Sequence, residues 1–198
     1  VKLQINSRHD LVNYSLITEE AKNHISILGY SVKNRMYWLK NFSIQFSKKI
    51  NNRLKTTASI AYNERPATAS ELFGFYLFNS NDGYDYIGNP DLKNESAWQA
   101  EVAAIYSSKK TRWQFTVFRS LIRHYILGEF TPGFSSMTTG ARGVKTFTNV
   151  PNAILAGFEV IGTFKPSHVT EFVSTLRYNH GFDNEKQALP FIPPLNNI

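Results

Sequence analysis

Ala97-Trp98-Gln99-Ala100-Glu101-Val102-Ala103-Ala104-Ile105-Tyr106-Ser107 sets Trp98, Ala100, Val102, Ala104 and Tyr106 on one face of an extended chain. Gln99, Glu101 and Ser107 fall on the other. Alternation with period two over about ten residues marks a strand with one apolar and one polar face. A strand of that length, tilted by about 45°, spans the hydrocarbon layer of a membrane. Residues 112–126 follow after the tight turn Ser108-Lys109-Lys110, with Trp113, Phe115 and Val117 alternating with Gln114 and Thr116.

The same period recurs along the chain. Residues 41–50 carry Phe42, Ile44, Phe46 and Ile50 against Ser43, Gln45 and Ser47. Residues 53–62 carry Leu54, Ala58, Ile60 and Tyr62 against Lys55, Thr57 and Ser59. Residues 151–166 and 169–182 continue it through Phe158, Val160, Phe164, Phe172, Leu176 and Tyr178, and a further strand is expected over 2–14. The total is about seven strands.

Connection lengths decide which kind of sheet this is. Asn51-Asn52, Ser108-Lys109-Lys110 and Pro166-Ser167-His168 are tight, whereas 15–34, 64–94, 127–150 and the stretch from Asp183 onward are long. Short and long connections alternate strictly, as do the periplasmic turns and extracellular loops of an outer-membrane barrel. Long loops without structure of their own are uncommon in compact soluble domains. Gln45, Thr57, Gln99, Glu101, Gln114, Glu159 and Glu171 are expected to face a wet lumen. Tyr62, Trp98, Tyr106, Trp113 and Tyr178 lie near strand ends, where a membrane interface takes its aromatic belt.

The composition agrees. Fifteen Phe, ten Tyr and three Trp make 14% of the 198 residues, and there is no cysteine to form a disulfide or a thiolate metal site. The formal charge of +7 is scattered rather than clustered, and the pairs Lys48-Lys49 and Lys109-Lys110 fall at expected turns, so no nucleic-acid partner is expected. No apolar run reaches the length of a transmembrane helix. No secretory leader opens the chain at Val1-Lys2-Leu3, and an internal fragment of a longer protein is expected.

Four motifs resemble the barrel of TonB-dependent receptors. The first is Arg65-Pro66 followed by Glu71-Leu72. The second is Gly88-Asn89-Pro90-Asp91-Leu92-Lys93-Asn94-Glu95, which introduces the strand quoted above. The third is Asn149, Ala153, Gly157 and Glu159 at the spacing of a family strand, and the fourth is Leu189-Pro190-Phe191-Ile192-Pro193-Pro194. They occur in the family's order and cover about residues 40–195. The resemblance implies an all-β, antiparallel transmembrane segment of a 22-stranded barrel. Residues 1–198 would be part of the barrel domain, with the plug and the TonB-contacting segment lying outside this chain. It implies a bacterial outer-membrane location, lipid and the TonB complex as partners, and active uptake of a scarce bulky nutrient such as an iron-siderophore, haem or cobalamin. It implies no catalysis and no cofactor.

Individual residues carry physical expectations. Gly88-Asn89-Pro90 is turn chemistry ending a loop, Gly157 marks close packing or a kink, and Glu95 and Glu159 are expected at the wet lumen. Arg65 and Glu71 are expected to form a structural contact across the barrel mouth. In the loop Asn79-Ser80-Asn81-Asp82-Gly83-Tyr84-Asp85-Tyr86, Tyr84 and Tyr86 could stack on an aromatic or sugar ligand, and Asp82 and Asp85 could hold cations. The same loop resembles a calcium loop only faintly, because the closing glutamate is missing. The five histidines show no metal-site spacing, and only His124 with Met137 offers a conceivable pair. Two other classes fit the alternation alone. One is a soluble β-sandwich binding carbohydrate or another ligand, with Trp38, Tyr84 or Tyr86 as platforms, and the other is a passive porin.

Overall fold

The computed structural model describes residues 1–190, 192 and 195–197. Seven long strands run β1 Lys2–Tyr14, β2 Arg35–Lys49, β3 Leu54–Arg65, β6 Glu95–Ser107, β7 Thr111–Phe130, β8 Val144–Phe164 and β9 Phe172–Asp183. Each is antiparallel to the next in one continuous sheet. A sandwich would need two sheets packed face to face, so that alternative is set aside. Short pieces add to this frame: helices α1 Glu19–Ile27 and α2 Ala69–Phe73, and strands β4 Leu77–Asn79, β5 Tyr84–Ile87 and β10 Leu195–Asn197. Strand β5 pairs with β8 in parallel, the one departure from the expected antiparallel pattern among the described residues.

The register carries each face across the whole sheet. Leu3, Phe46, Ala58, Val102, Val117, Phe158 and Tyr178 form one apolar row through all seven long strands. Gln45, Ser59, Glu101, Phe118, Gly157 and Asn179 form a row on the opposite face. The apolar face is uncovered: Ile60 is 57% exposed and Val102 55%. A contiguous apolar surface of that extent is not left to water by a soluble monomer.

The packed core lies elsewhere, at the end where the long connections gather. Tyr37, Leu39, Ala67, Leu72, Leu92 and Ile126 cluster there with Val12, Tyr14, Phe73 and Phe147 around them. Loop 66–94 thus folds back over the polar face at that end. Full burial of Leu72 and Leu92 contributes about 2 kcal/mol each.

Two expected loops contain helices. Thr18 caps α1 by accepting from the Ala21 amide, with Glu19 and Glu20 in the first turn, and Ile25 is fully buried. Thr68 and Glu71 form a reciprocal capping box on α2. The expected loop over 127–150 shrinks to 131–143, because β7 and β8 keep their register through Leu127↔Thr148 to Phe130↔Lys145. Packing of Tyr84 on Phe130 and of Tyr86 on Phe147 supports that extension. Glu171 precedes β9 and pairs with Lys165 at 3.2 Å in the turn, rather than facing a lumen from within a strand.

Candidate functional site

The residues singled out from the sequence fall into three places. Arg65, Glu71, Gly88, Asn89, Pro90 and Glu95 converge at the loop end of the polar face. Gly157 and Glu159 sit in the wall, and Asp82, Tyr84, Asp85 and Tyr86 form an outer cluster with loop 131–143.

Arg65 stands at the centre of the first group. Its Nε donates to Glu95 Oε2 at 2.7 Å and its Nη1 to Glu71 Oε2 at 3.0 Å, so Arg65 and Glu71 meet locally, between the end of β3 and the helix that follows it. Glu71 also caps α2 through the Thr68 amide at 2.7 Å. Glu95 accepts the Ile126 amide at 2.8 Å and is buried, so it is held by protein donors rather than by lumen water. One guanidinium thereby ties β3 to α2 and to β6, with bidentate geometry that a lysine could not reproduce.

Gly88 and Asn89 lock the returning loop onto α2. The Gly88 amide donates to the Gly74 carbonyl at 2.7 Å and the Asn89 amide to the Glu71 carbonyl at 2.8 Å. A Cβ on Gly88 would lie 2.5 Å from the Gly74 nitrogen and 2.6 Å from the Phe73 nitrogen, so only glycine permits this backbone contact. Leu92 gives its carbonyl to Arg35 at 2.8 Å and to the Tyr37 hydroxyl at 3.1 Å. Asn149, from the third motif, accepts from the Lys93 amide at 2.8 Å and donates to the His124 carbonyl at 2.7 Å. His124 is thus engaged through its backbone, at φ 54°, and Met137 lies 66% exposed in loop 131–143.

In the wall, Gly157 makes room for its neighbours. A Cβ there would run into the Tyr178 carbonyl and meet Phe118 Cζ at 2.9 Å. Glu159 pairs with Arg177, whose Nε lies 2.9 Å from its Oε1. Glu159 and Arg177, with Gln99, Glu101 and Thr116, line a recess of about 430 Å³ on the polar face.

The outer cluster is bound to itself. Asp82 Oδ2 accepts from Lys145 Nζ and from the Tyr86 hydroxyl, each at 2.7 Å. Lys145 Nζ stands 4.4 Å from the Tyr84 ring centroid, a cation–π contact. Asp85 is fully buried, and its Oδ2 accepts the Met137 and Thr138 amides at 2.8 and 2.9 Å. Neither carboxylate is free to hold a cation as the loop is folded. Burial alone would push the Asp85 carboxyl up, but donation from the Thr138 amide and hydroxyl and the Met137 amide outweighs it, and the net shift is downward. Asp82 is lowered in the same way, with Lys145 and Tyr86 overcoming the effect of burial. Burial and the neighbouring Asp82 raise the Tyr86 phenol, which stays a donor at all ordinary pH.

Lys145, Thr138 and Phe147 were not singled out from the sequence. They lie more than fifty residues from Tyr84–Ile87, and only the parallel β5–β8 pairing brings them together. Beside them is a second recess, about 400 Å³, lined by Glu71, Phe78, Tyr86, Tyr125, Phe147 and Pro190 among others. Among the described residues no group of three His, Asp or Glu side chains is placed to hold a metal ion. Of the fourth motif, Leu189 is buried against Gly181, while Phe191, Pro193 and Pro194 lie outside the described residues.

Comparison with known proteins agrees with this architecture. Solved structures with the same fold include the copper transporter OprC, 20% identical, with a TM-score of 0.66 over 84% of this chain and 24% of that one. The siderophore receptor PirA from Pseudomonas aeruginosa is 15% identical, with a TM-score of 0.56 over 75% of this chain and 29% of its own. PirA from Acinetobacter baumannii is 16% identical, with a TM-score of 0.54 over 82% and 26%. The chain therefore spans about a quarter of the length of these proteins. No curated protein matches it. The family model described as TonB dependent receptor-like, beta-barrel, matches residues 2–196, and the chain belongs to that family.

Proposed function

We propose that this chain is a portion of the barrel wall and external mouth of an active outer-membrane transporter. The transporter takes up a scarce, bulky nutrient (an iron-siderophore, haem, cobalamin or a similar compound) with energy transmitted through TonB. The observation that carries this reading is the family match over residues 2–196. The uncovered apolar face supports contact with lipid, and the period-two polar face supports a hydrated lumen. The plug and the TonB-contacting segment belong to parts of the receptor outside residues 1–198. Uptake breaks no bond in the nutrient, so the protein acts as a carrier and not as an enzyme.

Within that reading the recess lined by Phe78, Tyr86, Tyr125 and Phe147 receives part of the ligand, with Tyr84 beside it. Asp82 and Asp85 act indirectly, by holding loop 131–143 and β5 in place. The test is growth under iron limitation of a Gram-negative strain lacking its own receptors and carrying the receptor with this chain, on a panel of iron chelates. Growth on at least one chelate, abolished when the host lacks TonB, is expected. Growth that persists without TonB would mean a passive porin instead.

A further inference from the structure

The outer end of the apolar face carries charge that the wall does not need. Along β7 that face presents Trp113, Phe115, Val117, Arg119, Leu121 and Arg123, all exposed. Arg119 stands between Ala100 and Ala156 on the flanking strands, and Arg123 between Ser96 and Asn152. Neither guanidinium makes an ion pair among the described residues. The one acid in the Arg123 row, Glu64, is already engaged: Oε1 accepts from the Tyr62 hydroxyl at 2.6 Å and Oε2 from the Lys40 amide at 2.8 Å. His180 shares the Arg119 row across Ala156, and Lys40 shares the Glu64 end of the other, so the surplus is positive.

Depth follows from strand geometry. Trp113 lies close to the short turn at 108–110, and Arg123 is ten residues further along. At about 3.4 Å per residue and a tilt of 35–45°, that is a rise of roughly 25 Å, the height of an apolar band. Arg123 therefore reaches the outer border of the band. Arg119 starts about 10 Å lower and, between two alanines, has room to extend its stem upward and carry its head most of the way toward that border. Between the two arginine rows runs an apolar stripe of Trp98, Leu121, Ile154 and Phe182. Cations at headgroup level above an apolar stripe match a phosphate carried on acyl chains.

We propose that Arg119 and Arg123 form a binding site for a phosphorylated lipid of the outer leaflet, with the phosphate between the guanidinium groups and the acyl chains along Trp98, Leu121 and Ile154. This site rests on the membrane-barrel reading and is separate from the nutrient path, which runs on the opposite face. Two planar forks suit phosphate oxygens better than ammonium groups would. Each basic residue at a membrane surface strengthens binding of an anionic lipid about fivefold, so the pair supplies roughly thirtyfold.

The experiment is native mass spectrometry of the intact receptor in detergent, titrated with diphosphoryl lipid A, its phosphate-free form and phosphatidylglycerol. Heat-modifiability on a gel is read in parallel. Saturable adducts of lipid A that depend on its phosphates are expected, weakened about thirtyfold in R119Q/R123Q and less than twofold in the turn control K109Q/K110Q. Equal binding by the double variant and wild type would overturn the site. So would equal binding of the phosphate-free lipid by the wild type, loss of adducts to millimolar inorganic phosphate, or a second receptor copy in place of lipid. A wild-type receptor that is not heat-modifiable would instead remove the barrel reading beneath the proposal.

Discussion

Replacing Asp85 by alanine tests whether one buried carboxylate holds loop 131–143 against the barrel mouth. Its Oδ2 accepts two loop amides, from Met137 and Thr138, at 2.8 and 2.9 Å. Hydrogen bonds to a charged acceptor are worth about 1.5–3 kcal/mol each, or roughly 3–6 kcal/mol together. Against this, Oδ1 is buried without a partner, and removing it recovers about 1–3 kcal/mol. The midpoints of the two ranges leave a net loss of about 2.5 kcal/mol, confined to the loop because the wall strands are not touched. Amide exchange at Met137 and Thr138 in the intact receptor should therefore speed up by roughly thirty- to a hundredfold in D85A. Exchange in the middle of β6 should stay unchanged. Asparagine keeps one acceptor but places an amide donor where Oδ1 finds none, so D85N should fall between wild type and D85A. Unchanged exchange at both amides in D85A would refute the latch.

The sign of the Asp85 shift sets a pH dependence. A carboxylate lowered in the folded loop stabilises it fully above its unfolded value, about 3.9, and loses that contribution as pH falls through the lower folded value, so loop protection should be flat from pH 8 to 5 and decline only below about pH 4. Gly88→Ala forces a Cβ onto the backbone of α2 and should cost about 1–3 kcal/mol at the loop, seen as lost ligand binding in a receptor that remains heat-modifiable. Gly157→Ala should open the β8–β9 pairing, because its Cβ would meet the Tyr178 carbonyl, and should lower the urea midpoint of the folded barrel. Val102→Arg on the apolar face should destabilise a lipid-embedded barrel by up to about 2–4 kcal/mol, while Gln99→Arg on the polar face should change little; equal effects would mean that the apolar face does not meet lipid.

The wall was legible because its signal is periodic and local. The apolar partners of Val102 can be chosen from the alternation alone, and strands β1, β3, β6 and β9 lie within three residues of their expected ends. The additional structure within the long connections was partly legible too. Thr68-Ala69-Ser70-Glu71 and Thr18-Glu19-Glu20 are capping signals in plain view, but each lies in a stretch with too few apolar positions to show a helical period. The β7–β8 extension was hidden by Pro132, Gly133, Gly140 and Gly143, whose turn chemistry belongs to the tip and not to the flanking strands. The outer cluster was legible only on its near side, where Asp82, Tyr84, Asp85 and Tyr86 are neighbours in sequence; Lys145 is 63 residues from the Asp82 it pairs with.

The family motifs gain a common physical reason from this arrangement. A strand with one apolar and one polar face is specified by its period more than by any single side chain. A loop that must fold back into a barrel mouth has no such freedom. It has to satisfy its own backbone against strands fixed by the wall, and it does so through a few irreplaceable contacts. Gly88 permits a backbone approach that no Cβ allows, Arg65 serves two carboxylates with one planar group, and Asn149 closes the Lys93 backbone to β7. Glu95 links that loop to the Ile126 amide and hence to the core. The motif residues at the loop end of the sheet therefore mark the fixed contacts by which the returning loop is held to the wall.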